Sequence, residues 1–447
     1  MNGSPLWIAA ALLLNACAVY RSKPLTDQPA VLTAPVAAVL ARDSARIERP
    51  YLQPIAIDLA QPLDSNGIAV LAVIANPDLK AARLRVKVAA AQSFAARLLP
   101  DPTFNAGEDF LLSGPDPFNN IAAALGLDLN ALITHSVVRE KAQADEKQVR
   151  LDLAWAEWQT AGQARIGAVK VTGLERTLVL DQASRDATQS LLDATLRSAG
   201  RGDISADQVQ AARTAAFDSA ARLRSSERDV AAARFDLTKL LGLPPGTPLR
   251  LRPSALPEAP LDAARLFAIA QTRRVDLQAL RAGYESQEAS VHKAVLDQFP
   301  KLDLTINASR DTGGNRLLGP AVGFTLPLWN RNRGGIAVED ATRDALKAEY
   351  EARLFQARAE IAAAVGGIAI ARRQRRDILA GLPALERFVA GSTHAAARGD
   401  LSPAIAATAA QALRDKQGQL VQSEQDIQEQ WIALELLTGT PLEGLDR

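Results

Sequence analysis

Polar and apolar positions follow two different periods along this chain. From Asn76 to Leu98, Ala, Leu and Val recur at three- and four-residue spacing, which predicts an amphipathic helix ending at Leu99-Pro100-Asp101-Pro102. Val275 to Gln298 has the same pattern and stops at Phe299-Pro300. A period of two follows: Leu302, Leu304, Ile306 and Ala308 alternate with Asp303, Thr305, Asn307 and Ser309, the signature of a strand with one apolar face. After a turn signal at Asp311-Thr312-Gly313-Gly314-Asn315, Leu318, Val322, Phe324, Leu326 and Leu328 fall on one face, with Ala321, Gly323 and Thr325 on the other. These strands are expected at 302–310 and 317–328, and an earlier pair at 103–111 and 122–131 around Ser113-Gly114-Pro115. Ser136 to Arg197 has almost no internal Gly or Pro and predicts a helix of about 62 residues, ~93 Å long. After a turn at Gly200 to Gly202, Ser205 to Leu241 predicts a second helix of ~55 Å.

The chain is written twice. Leu63-Asp64 and Asn76-Pro77-Asp78-Leu79 return as Leu261-Asp262 and Arg274-Val275-Asp276-Leu277 at an offset of about 198. Gly126-Leu127-Asp128-Leu129 with Gly323-Phe324-Thr325-Leu326, Arg201-Gly202-Asp203-Ile204-Ser205 with Arg398-Gly399-Asp400-Leu401-Ser402, and Leu241-Gly242 with Thr438-Gly439 follow at about 197. The expected organisation is therefore a leader at 1–16, an extended strap at 17–62 and two structural repeats at 63–260 and 261–447. Each repeat runs helix, strand, strand, long helix, turn, helix. Strands of this length cross a bilayer obliquely, yet four cannot close a barrel, and an open sheet edge is not tolerated in lipid. Several chains must combine, and three would supply twelve strands. The expected fold is mainly α with a small transmembrane β-barrel part.

Composition narrows the function. With 51 Lys and Arg against 50 Asp and Glu in 447 residues, the chain offers no overall attraction for nucleic acid. A single cysteine builds neither a disulfide framework nor a thiolate metal site. The apolar share of 48%, much of it Ala, with 4% aromatics suits long, closely packed helices. Leu6 to Leu14 is too short to span a bilayer as a helix and reads as an export signal ending at Leu14-Asn15-Ala16-Cys17. That end resembles a bacterial lipobox, which implies Cys17 as the lipidation site, and in such lipoproteins a residue like Ala18 after the Cys favours sorting to the outer membrane. Prolines 24, 29, 35, 50, 54 and 62 bias the strap toward extended structure. His135, His292 and His394 stand at no metal-ligand spacing, and no phosphate-cradling loop, nucleophile elbow or metal-binding helix motif occurs. An enzyme is not expected, nor a cofactor. Arg372, Arg373, Arg375 and Arg376 read as a solvated or interhelical charge face.

The duplicated plan, the Asn76-Pro77-Asp78-Leu79 and Val275-Asp276-Leu277 helix starts, the Leu99-Pro100 and Phe299-Pro300 ends and the terminal Leu-Gly and Thr-Gly resemble the outer membrane efflux protein (TolC) family from about Leu63 onward. Leu326-Pro327-Leu328-Trp329-Asn330-Arg331-Asn332-Arg333-Gly334 resembles members serving cobalt, zinc and cadmium exporters. The resemblance implies a homotrimer with a twelve-stranded barrel in outer membrane lipid and a long periplasmic α-helical barrel. It also implies a passive duct working with a periplasmic adaptor and a proton-driven inner membrane pump of the resistance-nodulation-division type. The adaptor would dock at the tips Arg201, Gly202, Asp203, Ile204 and Ser205, and Arg398, Gly399, Asp400, Leu401 and Ser402, where exposed Ile204 and Leu401 offer apolar contact. Family members often carry gate acids beyond the tip; the corresponding positions here are Gln208, Ala211, Ile405 and Thr408, which leaves Asp207 and Asp203 as candidate gate-region acids. A duct for drugs or type I protein secretion, and an envelope coiled coil without a channel, are the alternatives.

Overall fold

The computed structural model describes residues 20–442; the leader and Cys17 lie outside them. In chain order the elements are a short 3-10 turn (Ala30–Leu32), α1 (Ala37–Ser44), α2 (Ser65–Ala75), α3 (Pro77–Ala95), β1 (Thr103–Asp109), β2 (Asn120–Asp128), α4 (Leu129–Ala199), α5 (Ala206–Leu240), α6 (Ala263–Arg273), α7 (Val275–Leu296), β3 (Leu302–Arg310), β4 (Arg316–Phe324), α8 (Arg333–Arg398) and α9 (Pro403–Thr438). The same order of two helices, two strands, a long helix and a returning helix thus occurs twice.

Several boundaries differ from expectation for local reasons. β2 stops at Asp128, not at residue 131, because the Asp128 carboxylate accepts the Ala131 N–H at 2.8 Å and caps α4. That early start lengthens α4 to 71 residues, ~107 Å. β1 ends at Asp109 and β4 at Phe324, so Leu326 and Leu328 leave the sheet. The strap is only partly extended: Ala37–Ser44 coils, and the Ser44 hydroxyl accepts the Ile57 N–H at 3.0 Å, folding the segment back so that Leu40, Ile47, Leu52 and Ile57 are buried. Two helices, α2 and α6, precede the expected starts at Asn76 and Val275. α2 is apolar on nearly every side because it is surrounded, with Ile68 to Val73 all buried against α4 and the end of α5.

One junction is built twice at the middle of the molecule. Asn76, between α2 and α3, caps α3 by accepting the Leu79 N–H at 3.0 Å and donates its side-chain amide to Leu240 O, in the last turn of α5, at 2.8 Å. Arg274 holds the matching place between α6 and α7 and reaches Leu437 O in the last turn of α9 at 3.4 Å. Immediately beyond these turns, Gly242 (φ 64°) and Gly439 (φ 74°) bring their backbones against the same breaks. A Cβ on Gly242 would lie 2.5 Å from Ala75 O, and one on Gly439 would lie 2.9 Å from Arg274 Cα. Only glycine combines that φ with that approach.

The second junction also holds a buried ion group. Arg274, 1% exposed, donates to both carboxylate oxygens of Asp276 at 2.9 and 2.7 Å, and Arg353 of α8 joins at 3.1 Å. Burial opposes ionisation of Asp276, but hydrogen bonding and charge from Arg274, reinforced by Arg353, outweigh it and hold the carboxyl below its ordinary range. Around the first junction Glu157, buried in α4, takes Arg49 of the strap at 2.5 Å and Arg83 of α3 at 2.7 Å.

Two outcomes follow. Gly242→Ala and Gly439→Ala each lower stability by about 1–3 kcal/mol from backbone strain, with the clash adding to it. Gly246→Ala, also at positive φ (81°) but with nothing within 4 Å, loses less; denaturant midpoints from helical circular dichroism compare the three, and equal losses would refute the close-approach argument. Because the Asp276 pKa is depressed, its contribution is complete at neutral pH and is lost as pH falls below its ordinary value of 3.8. The stability gap between wild type and Asp276→Asn should therefore be wide at pH 7 and narrow toward pH 3; a pH-independent gap would contradict it.

Candidate functional site: a two-faced sheet and twin hairpin tips

The four strands form one antiparallel sheet in the order β1-β2-β3-β4. Its register places Phe104, Leu125, Ile306 and Pro320 in one cross-strand row and Ala106, Ala123, Ala308 and Leu318 in the next on that face. The opposite face carries Thr103, Gly126, Thr305 and Ala321, then Asn105, Ala124, Asn307 and Gly319. One face is therefore greasy and the other small and polar, yet both are largely open in the single chain. The outer edges of β1 and β4 have no strand partner within the described residues. At the far end the hairpin loops are tied together: the Thr312 hydroxyl donates to Asp116 at 2.5 Å and Arg310 stacks 3.7 Å from the Phe118 ring centroid.

At the opposite end of α4 and α8 lie the two tips, and they share one geometry. In the first, Gly202 N–H bonds Ala199 O at 2.9 Å and Asp203 N–H bonds Ser198 O at 3.1 Å, with Gly202 at φ 81°. In the second, Gly399 N–H bonds Ala396 O at 3.1 Å and Asp400 N–H bonds Ala395 O at 2.9 Å, with Gly399 at φ 83°. Both are Schellman reversals, in which glycine takes the left-handed position and the following residue closes the six-residue ring. Arg201 bridges Asp203, and Arg398 bridges Asp400, each at 2.9 Å. With more than half of each side chain exposed, such pairs contribute only about 0–1 kcal/mol, so the glycines and backbone bonds set the turn.

The structure brings part of the two tips together. A groove of about 750 Å³ runs between the α4–α5 hairpin and the start of α9, lined by Asp203, Ile204 and Gln208 on one side and Ser402, Pro403 and Thr408 on the other. Arg201, Gly202, Ser205, Arg398, Gly399, Asp400 and Leu401 lie outside its lining, as does Asp207, exposed in the first turn of α5. Ile204 and Leu401, expected to be exposed, are half-buried, while Ile405 is 53% exposed. Gln208 accepts the Ser205 N–H at 3.2 Å, a local helix-start contact. Acids in the groove that the motif reading missed are Asp218 and Asp415. Their signal was available: Ala211, Ala212, Ala215, Ala404 and Ala407 leave room between the helices, and acids beside such a strip face the space.

Other candidates resolve structurally. Arg372 donates to Pro257 O at 2.8 Å and Ala259 O at 3.0 Å, clamping the segment between the repeats, and Arg375 pairs with Glu424 at 3.2 Å. Among the described residues no group of three or more His, Cys, Asp or Glu is placed to hold a metal ion.

Against this geometry, the family model described as Outer membrane efflux protein matches residues 266–440, from α6 through α9. Over this stretch, most of the second repeat, the chain is similar to the outer membrane efflux protein family. Solved structures share the fold over most of the chain. The Campylobacter jejuni CmeC outer membrane channel is 15% identical, with a TM-score of 0.72 over 84% of this chain and 85% of that one. VceC, an outer membrane protein of Vibrio cholerae, is 17% identical with a TM-score of 0.69, covering 85% of this chain and 97% of that one. CusC, 17% identical, has a TM-score of 0.68 over 84% of this chain and 92% of that one. No curated protein matches the chain by sequence.

Proposed function

We propose that this chain is the outer membrane exit duct of a tripartite efflux system. Three copies share a twelve-stranded barrel through the open edges of β1 and β4, and α4, α5, α8 and α9 continue the duct as a periplasmic α-helical barrel. The observation carrying this reading is the sheet: one apolar face, one small polar face and two free edges make sense in lipid only when closed around a water-filled lumen. The duct is passive, and energy comes from a proton-driven resistance-nodulation-division pump through a periplasmic adaptor. The tips from Arg201 to Ser205 and from Arg398 to Ser402, with the groove beside them, form the adaptor's seat; Asp203 and Asp207 remain the gate-region acids. Cys17, carrying acyl chains, tethers the strap to the same membrane.

Purified protein added to a planar bilayer should give discrete conductance, in wild type and in Cys17→Ser alike, while only wild type incorporates labelled palmitate in cells. An absence of conductance would sink the duct, and equal labelling would remove the anchor. Heavy-metal cations are the favoured cargo, supported by the Leu326 to Gly334 segment and by the likeness to CusC. Deleting the gene should lower tolerance to zinc, cobalt or cadmium, and restoring it with Asp400→Arg and Leu401→Arg together should fail to rescue despite normal conductance. Unchanged metal tolerance with lost dye or antibiotic tolerance would favour the drug-duct alternative.

A further inference from the structure

The two repeats pass from sheet to long helix differently. In the first, β2 runs straight into α4 at Leu129. In the second, residues 325–332 intervene before α8, although Leu326 holds the place that Leu129 holds in the first. The inserted segment is pinned at both ends. Thr325 exchanges hydrogen bonds with Lys301, its N–H to Lys301 O at 3.3 Å and its hydroxyl accepting the Lys301 N–H at 3.1 Å. At the other end Arg331 and Asn332 stand at φ 45° and 50°, and the Asn332 amide donates to Ala294 O of α7 at 2.8 Å. Two successive non-glycine residues in the left-handed region carry strain that a free linker would relax.

What this strained clamp presents is apolar. Leu326 is 64% exposed, Leu328 60% and Trp329 86%. They follow β4 directly in the chain, at the end of the sheet where Phe104 and Phe324 of its apolar face are also open to solvent, at 70% and 60%. Next along the chain come Arg331 and Arg333, both exposed and without an ion-pair partner among the described residues. Apolar strand, then aliphatic and indole, then guanidinium is the order in which a bilayer changes from acyl chain through the interface to phosphate. We propose that this clamp is a lipid-seating collar: Leu326, Leu328 and Trp329 enter the periplasmic leaflet at the level of the glycerol backbone, and Arg331 and Arg333 hold phospholipid phosphates. The proposal rests on the duct reading, which places the sheet in the bilayer. It assigns the patch to phospholipid and not to a neighbouring copy because the two cations lack a carboxylate, and the phosphate of a headgroup supplies the anion.

Tryptophan emission tests it on the whole protein. Trp155, Trp158 and Trp431 lie at the middle junction, about 40 Å along α4 from the sheet, so the difference between wild type and Trp329→Phe isolates Trp329. In vesicles of phosphatidylcholine brominated near the glycerol end of its chains, wild type should lose emission and Trp329→Phe should not, with weaker quenching when bromine sits near the chain ends. Arg331→Glu with Arg333→Glu should reduce the shallow quenching while conductance persists; unchanged quenching overturns the phosphate contact. Conducting channels whose Trp329 is not quenched overturn the collar and point to a neighbouring copy over the patch, leaving the duct intact. Protein that neither inserts nor conducts overturns the duct reading and the collar with it.

Discussion

Everything outside the middle of this molecule depends on two places where backbone meets backbone. Gly242 and Gly439 turn the ends of α5 and α9 into the breaks at Ala75 and Arg274, close enough that a methyl group would collide. Each approach fixes the axial position of a returning helix against the start of its own repeat. From that fixed point α3 and α7 lead to the sheet and the paired long helices lead to the tips. A slip of one helical turn at the junction would move the tips by about 5.4 Å and break the side-chain bonds along α4. Small residues serve the same end elsewhere: Gly162 lies against Leu436, Gly173 against Gln425 and Gly367 against Gln430, each too near for a side chain without displacement.

The ends then answer to different physics. The sheet must satisfy backbone groups and sort faces, so its information lies in alternation and in unpaired edges. The tips must only reverse direction, so theirs lies in a glycine at positive φ and two backbone bonds. The Arg–Asp pairs there are surface contacts whose conserved geometry in both repeats follows from the shared turn and not from their own strength.

Repetition and alternation were legible in the sequence because each depends on local spacing. The tip motifs, the period of two in β3 and the glycines closing α5 and α9 could all be read from residues close together. What could not be read depended on surroundings. α2 has no polar stripe because it is enclosed on nearly all sides, so periodicity gave no signal for it. The end of β2 was set by Asp128 changing role from strand residue to helix cap, which alternation alone does not reveal. Ile204 and Leu401 stand beside glycine yet are half-buried, and the groove that Ile204 lines takes Asp218 from α5 and Asp415 from α9 besides Asp203 of the tip.

The duplicated junction is conserved in shape and changed in chemistry. Around Asn76 a broad apolar core gathers α2, the strap and the end of α5, and the polar contacts there are neutral amide bonds backed by Glu157 with its two arginines. Around Arg274 the apolar cluster is smaller, and a guanidinium buried to 1% exposure depends on Asp276, with the indole of Trp155 5.3 Å away. A buried ion pair adds little net stability, yet losing one partner strands the other charge at a cost of about 3–5 kcal/mol. Both junctions therefore hold a buried charge that depends on its partners, Glu157 on two arginines in the first and Arg274 on Asp276 in the second. The bond from Arg165 of α4 to Glu435 of α9, at 2.6 Å with Glu435 nearly inaccessible, couples them. The same guanidinium donates to Ser65 at the start of α2, so one side chain of α4 joins the apolar core of the first repeat to the last helix of the second.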